Sequence, residues 1–362
     1  MDVLSFDNTH FFWLCAVKKF KSLLAGGAVA LIGALIAVWL RTPLPWMLGP
    51  LILVAIFRMA SATITSSVNL RYVGQWGIGV SLGLYFTPHV LSVISQNMWP
   101  VIAGMIFALL LGLYGTFIFR KFGGVDLRTA WFSSAIGGAS EMTSLSERYG
   151  GKPELVASAH SLRILTVVVV IPFIFQAWGV VGTDASTPGP KVVQFGGLCL
   201  LTLLTASSAL IAGFLRMPNG WVLGPMFVSM ALTMSGIELS ALPDFVSKTG
   251  QLLIGWSLGD KFRPGFFRLA PKFLLSVIFC SISSIVFAFC FAAILEKITT
   301  VPLSTLILGL APGGIAEMAI TAKVLQLGVP LVTAFQVTRM ALVVIVTGPI
   351  FKYFIQKHCE KR

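Results

Sequence analysis

"AIGGASEM", Ala135–Met142, and "APGGIAEM", Ala311–Met318, are two versions of one pattern in a strongly apolar chain. Each sets two adjacent glycines in an apolar stretch and a glutamate three residues after the second glycine. Inside a helix a glycine costs about 1 kcal/mol and a proline, here Pro312 in the second copy alone, about 3. A carboxylate in hydrocarbon costs roughly 3 kcal/mol or more. Non-helical backbone at membrane depth is tolerated only where it is buried in protein or lines a watery cavity. The pattern therefore predicts two interrupted helices, with Gly137, Gly138, Gly313 and Gly314 at the breaks. The glycines are expected to supply backbone conformations that other residues avoid. Glu141 and Glu317 are expected at the start of each following half-helix, where the N-terminus favours negative charge.

The rest of the chain fits a membrane setting. Of 362 residues, 56% are hydrophobic and only 11% charged, whereas a soluble domain carries about 25% charged residues. The expected class is an all-α polytopic membrane protein without a sizeable soluble domain. The net charge of +13 does not predict a nucleic-acid partner, because lysines and arginines gather at the ends of apolar runs, as in topology-setting loops. Cys15, Cys199, Cys280, Cys290 and Cys359 show no metal-binding spacing, and His10, His89, His160 and His358 are scattered. No metal, no cofactor and no enzymatic role is expected. The chain has no P-loop, so an ATP-driven pump is not expected either.

The chain is a tandem duplication. Glu141 and Glu317 are 176 residues apart, as are Arg163 and Arg339. "GQWGIGVSLG" at Gly74–Gly83 matches "GQLLIGWSLG" at Gly250–Gly259 at the same offset, and "RTPLPWMLGP" at Arg41–Pro50 matches "RMPNGWVLGP" at Arg216–Pro225 at an offset of 175. The expected division is a cytoplasmic N-terminus over 1–21, one membrane repeat over 22–181, a polar linker over 182–191, a second repeat over 192–356 and a cytoplasmic tail over 357–362. Six apolar runs per half leave the parity open. The basic loops decide it: if each glycine-broken run enters and leaves on one side, Arg58/Arg71, Arg120/Lys121/Arg128 and Lys261/Arg263/Arg268/Lys272 all fall in the cytoplasm, as the positive-inside rule asks. The expected architecture is thus two inverted repeats with about ten spans plus two broken or re-entrant helices.

Arg163 and Arg339 lie 22 residues after their glutamates. Two compatible roles are expected for them: an ion pair with the glutamate of the same repeat, since a membrane-buried arginine is rarely left unpaired, or a hold on an anionic solute. His160, one turn before Arg163 and replaced by Gln336 in the second repeat, is either a proton relay or a structural hydrogen-bonding group. The GxxxG pairs Gly79/Gly83 and Gly255/Gly259 predict close helix packing, and Gln75, Ser81, Gln251 and Ser257 on the same segments are candidates to line a path. Trp46–Pro50 and Trp221–Pro225 are expected to be interfacial anchors that break helices.

The repeated "LGP", "GQxxIGxSLG" and "GGxxEM" blocks resemble the AbrB family of bacterial inner-membrane proteins, marked by an internal duplication, over nearly the whole chain. Members have been labelled regulators of gene expression and also ammonia monooxygenases. The resemblance implies a multi-pass protein of the bacterial inner membrane. More loosely, the chain is similar to the cation:proton antiporter and anion transporter superfamily, which implies crossed, discontinuous helices and alternating access. The expected function is secondary transport of a small solute, an anion among the candidates, coupled to a proton or cation. The rival is a membrane-embedded regulator of gene expression that acts without binding DNA. Expected partners are the solute, the coupling ion and the bilayer, with a homodimer left open.

Overall fold

In the computed structural model, residues 5–180, 182 and 189–356 are described; the tail expected at 357–362 and most of the linker expected at 182–191 lie outside them. The described residues form sixteen α-helices and a closing π-helical turn, Phe351–Gln356. In chain order the helices are α1 Ser5–Trp39, α2 Pro45–Met59, α3 Val68–Gly83, α4 Pro88–Gln96, α5 Met98–Lys121, α6 Leu127–Ser134, α7 Ala139–Arg148, α8 Pro153–Ala177, α9 Phe195–Phe214, α10 Gly220–Met234, α11 Asp244–Gly259, α12 Phe266–Leu269, α13 Pro271–Glu296, α14 Leu303–Leu310, α15 Ile315–Val324 and α16 Val329–Ile350. Six of these are long and apolar enough to cross a bilayer: α1, α5, α8, α9, α13 and α16. The protein is therefore a multi-pass helical membrane protein. α2 and α10 are apolar but shorter. Residues 5–21 of the segment expected as the N-terminus are helical and continuous with the first span.

The duplication is visible in the backbone. Left-handed conformations are rare outside glycine, yet they recur at matched positions: Arg41 and Arg216, Leu44 and Asn219, Ser61 and Gly236, Gly150 and Gln326. The first two pairs lie in the "RTPLPW" and "RMPNGW" corners. The "WxLGP" motifs behind them do not break helices as expected. They open α2 and α10, and Pro50 and Pro225 lie within those helices. The break sits earlier, at left-handed Leu44 and Asn219, which precede α2 and α10.

The chain divides into two compact units, Met1–Gln75 with Asp244–Phe266, and Trp76–Pro243 with Phe267–Arg362. In hydrocarbon, helices associate through close packing of small residues rather than through a hydrophobic driving force, and the first unit follows that rule. A Cβ on Gly33 of α1 would come within 2.5 Å of the Gly49 carbonyl of α2. On α11 the GxxxG pair lies on α2, with Gly255 against the Met47 carbonyl and a Cβ on Gly259 only 2.6 Å from that of Leu51. α3 and α11 meet at the matched glycines, since a Cβ on Gly74 would lie 2.9 Å from the Gly250 carbonyl. Outside this packing, Arg58 forms an ion pair with Asp260 at 2.8 Å, and Ser66 donates to the same carboxylate from its amide and hydroxyl.

The second unit contains the matching arrangement. Gly224 of α10 packs on the Ser208 carbonyl of α9, at the positions matching Gly49 and Gly33. Gly79 and Gly83 of α3 pack on the Val222 and Met226 carbonyls of α10. Each repeat thus lends its third helix to the first pair of the other. The same unit holds α5–α8 and α13–α16, in which both interrupted helices lie.

Candidate functional site

Both predicted breaks are present and built alike. α6 is capped by Asp126, whose carboxylate accepts from the Thr129 amide at 3.0 Å and the Thr129 hydroxyl at 2.7 Å. It runs from Leu127 to Ser134, and α7 begins at Ala139. α14 ends at Leu310 and α15 begins at Ile315. Between them the chain is extended: Ala135 has φ −55°, ψ 129° and Ala311 has φ −58°, ψ 138°. Four residues outside the helices separate the orphan carbonyls at the end of one half-helix from the orphan amides at the start of the next.

The four glycines do not serve the breaks as expected. None of them has positive φ among the described residues; Gly138 and Gly314 are extended, at φ −64° and −85°. Their missing side chain matters instead. Glu141 and Glu317 fold back over the N-terminus of their own half-helix, and a Cβ at Gly138 or Gly314 would collide with the Oε2 of that glutamate. A Cβ at Gly137 would lie 3.1 Å from Met142 and Val343, and one at Gly313 would lie 2.7 Å from Met318. Both glutamates lie in the first turn, as predicted. Glu317 is buried, whereas Glu141 is half-buried behind exposed Ser140.

The arginines face the other side of each break. Arg339 of α16 donates to the Ala311 carbonyl at 2.5 Å, the Gly313 carbonyl at 2.7 Å and the Gln336 side-chain oxygen at 2.6 Å. The Gln336 amide in turn donates to the Leu308 carbonyl at 2.7 Å. Arg163 of α8 repeats the design, reaching the Ala135 carbonyl at 3.1 Å, the Ser134 carbonyl at 3.4 Å and His160 Nδ1 at 2.9 Å. His160 Nε2 meets the Phe132 carbonyl at 3.0 Å. A cation at a helix C-terminus is favoured by the dipole and supplies donors to orphan carbonyls. The expected arginine–glutamate ion pair is not formed: among the described residues no carboxylate lies within salt-bridge distance of Arg163 or Arg339. The reason is geometric. Each glutamate belongs to the amide end of the break and each arginine to the carbonyl end.

His160, the single histidine singled out from sequence, is fully buried between the first break and Arg163. Its place is that of Gln336, which positions the second arginine. Among the described residues no three histidine, cysteine or acidic side chains are placed to hold a metal ion.

Some residues at the site were not foreseen. Lys323, at the end of α15, reaches the hydroxyl of Ser81 on α3 at 2.6 Å and sits 6.0 Å from the Tyr85 ring. Ser133, Ser134, Cys280, Ser281 and Ser284 surround a small cavity beside Arg163. Reading the repeats against each other position by position would have exposed this polar group, because its matches in the opposite repeat, Gly309, Leu310, Gly104, Met105 and Ala108, carry no polar side chain.

Comparison with known proteins agrees with the duplicated blocks. The family described as "Transition state regulatory protein AbrB" matches residues 46–355. The chain belongs to the AbrB family. "Uncharacterized protein YhjN" of Bacillus subtilis strain 168 is 27% identical over 341 residues, covering 88% of this chain and 89% of that protein. "Putative regulator AbrB" of Escherichia coli K12 is 26% identical over 332 residues, covering 88% of this chain and 92% of that protein.

Proposed function

We propose that this AbrB-family protein is a secondary transporter that moves a small anionic solute coupled to a proton or cation. The observation that carries the reading is the pair of matched helix breaks, each with a carboxylate folded over its amide end and an arginine on its carbonyl end. Interrupted helices of this kind place half-helix dipoles at solutes and coupling ions in inverted-repeat transporters. The two breaks differ in access. Gly137, Gly138 and Glu141 are half-buried, whereas Gly313 and Glu317 are buried. A carboxylate that is wet in one copy and dry in the other is what an alternating cycle needs in a single state.

The reading includes the finer architecture: about ten spans, two broken or re-entrant helices, and repeats inverted across the membrane of the bacterial cell. The reciprocal loan of α3 and α11 supports a two-fold relation between the halves. Likeness to the cation:proton antiporter and anion transporter superfamily enters here as analogy, since fold does not fix function. No catalytic role is proposed. The rival reading is a membrane-embedded regulator, and the name of the E. coli relative favours it. Such a regulator would act through a sensed solute or a protein partner.

Flux separates the two. The full-length protein in proteoliposomes is tested for counterflow of a panel of small anions (phosphate, sulfate, acetate and dicarboxylates), with and without a proton gradient. Gradient-sensitive exchange of one of them is expected. Binding without flux across the panel would favour the regulator.

A further inference from the structure

α5 carries an apolar stripe that ends on two cations. Ile106, Leu110, Leu113 and Phe117 recur at helical spacing and are each more than half exposed, so they share one face of the helix. Arg120 and Lys121 continue that face in the last turn. The chain then turns over residues 122–126 and α6 packs back on α5, with the Ser134 hydroxyl 2.7 Å from that of Thr116. Between the two helices lies an open groove of about 500 Å³, a size common among ligand sites, about 300–1,000 Å³. Leu113, Thr116, Phe117, Leu127 and Trp131 line it, together with Arg120 and Lys121. From Arg120 to Leu113 is about 10 Å along the helix. The groove is thus cationic at the helix end and apolar further in.

The cations are placed for a phosphate. The Lys121 ammonium sits 5.4 Å from the centre of the Phe117 ring and 5.6 Å from that of Phe122, so two rings hold it at the mouth of the groove. Among the described residues no carboxylate lies within salt-bridge distance of Arg120 or Lys121. Asp126, the acid of the intervening turn, is engaged in capping α6 through Thr129. A guanidinium beside an ammonium presents several N–H donors to the oxygens of an anion. A soluble anion makes no use of the apolar wall behind them. A phospholipid uses both parts, and basic pockets between membrane helices are where anionic headgroups bind.

The second repeat lacks this arrangement. At the offset of 176, Glu296 stands for Arg120, Ala293 for Phe117 and Ile307 for Trp131, while Lys297 keeps the charge of Lys121. Glu296 accepts from the Leu303 amide at 3.2 Å. The matched turn therefore carries an acid that repels a phosphate.

We propose that the groove between α5 and α6 binds one anionic phospholipid of the surrounding bilayer. Its phosphate lies at Arg120 and Lys121, and one acyl chain follows Phe117 and Leu113 inward over Trp131. The site requires a membrane setting but not transport, so it stands apart from the function proposed above.

The test uses the full-length protein, delipidated in a neutral detergent. Native mass spectrometry follows the binding of dioleoyl phosphatidylglycerol and dioleoyl phosphatidylcholine, which share their chains and differ in headgroup charge. The first phosphatidylglycerol should bind on the order of tenfold more tightly than phosphatidylcholine. Arg120→Glu with Lys121→Gln should abolish that preference; Arg120→Gln alone should reduce it if the double variant does not fold. Leu113→Trp, which fills the groove and keeps both cations, should weaken phosphatidylglycerol binding by a similar factor. All three side chains are exposed, so unfolding midpoints in lipid-free detergent should match the wild type. Lys297→Gln, at the matched end of the second repeat, should leave the preference intact. Equal affinity for the two lipids in the wild type would overturn the proposal. So would an equal loss on Lys297→Gln, the mark of a general charge effect, or no loss on Leu113→Trp, which would leave surface charge alone to account for binding. Displacement of the lipid by equimolar glycerol phosphate would overturn it in favour of a soluble phosphate.

Discussion

Replacing each arginine by methionine tests how the breaks are held. Arg339→Met removes the donors to Ala311, Gly313 and the Gln336 side-chain oxygen. The Ala311 carbonyl keeps the Gly313 amide at 2.8 Å, so two acceptors are orphaned, at about 1–3 kcal/mol each. The gross cost is about 2–6 kcal/mol, partly offset because a buried charge is also removed. Arg163→Met removes longer contacts, to main-chain carbonyls at 3.1 and 3.4 Å and to His160 Nδ1 at 2.9 Å. A cavity near the size of one water adjoins it, whereas Phe335 seals the matching place in the second repeat. Arg163→Met is therefore expected to cost about 1–2 kcal/mol, clearly less than Arg339→Met. Unfolding in mixed detergent micelles, with denaturing detergent as titrant, measures both. The decisive variant adds Glu317→Gln to Arg339→Met. With no ion pair between them, the two changes should add within about 0.5 kcal/mol. If the double variant is instead more stable than Arg339→Met alone by about 1 kcal/mol or more, the glutamate and arginine are coupled as a pair and the separate-ends reasoning is wrong.

Gly138→Ala and Gly314→Ala push the folded-back carboxylates off the half-helix ends; because a flexible side chain can yield, stability should change by about 1 kcal/mol or less, while the pH profile of solute exchange should shift. Gly33→Ala sets a methyl against the Gly49 carbonyl and should lower stability by about 1–3 kcal/mol in the same titration, with Gly224→Ala behaving alike in the second repeat. Cysteine placed at Thr187, in the linker expected between the repeats, should react with an impermeant reagent from outside intact cells; labelling only after lysis would place the linker in the cytoplasm and remove the inversion.

The duplication, both breaks and both glutamates were legible in the sequence because each is carried by residues that conflict with a plain apolar helix. Gly-Gly and an acid have no reason to recur at a fixed spacing in hydrocarbon unless the backbone stops there. The GxxxG pairs were legible for the same reason, and the structure sets each against a partner carbonyl. The roles of the glycines were not legible. A glycine that leaves room for a carboxylate looks the same as one that turns the chain, and only the extended φ values of Gly138 and Gly314 tell them apart. The arginines' partners were hidden too, because the acceptors are main-chain carbonyls, which no side-chain pattern records. The exchange of α3 and α11 between repeats involves contacts far apart in the chain and left no local trace. The cavity beside Arg163 was readable in principle from Ala159 against Phe335, once the halves were aligned residue by residue.

The most direct test of coupled transport through the two breaks is pH-dependent counterflow in proteoliposomes holding Glu141→Gln, Glu317→Gln or both. Glutamine keeps the size and much of the hydrogen bonding of the carboxylate but cannot titrate. The wild type should exchange its anion at a rate set by the proton or cation gradient. At least one single variant should lose that dependence while remaining folded in the membrane, and the double variant should lose it fully. Gradient dependence equal to the wild type in the double variant would contradict coupling at the breaks and leave Glu141 and Glu317 as helix caps.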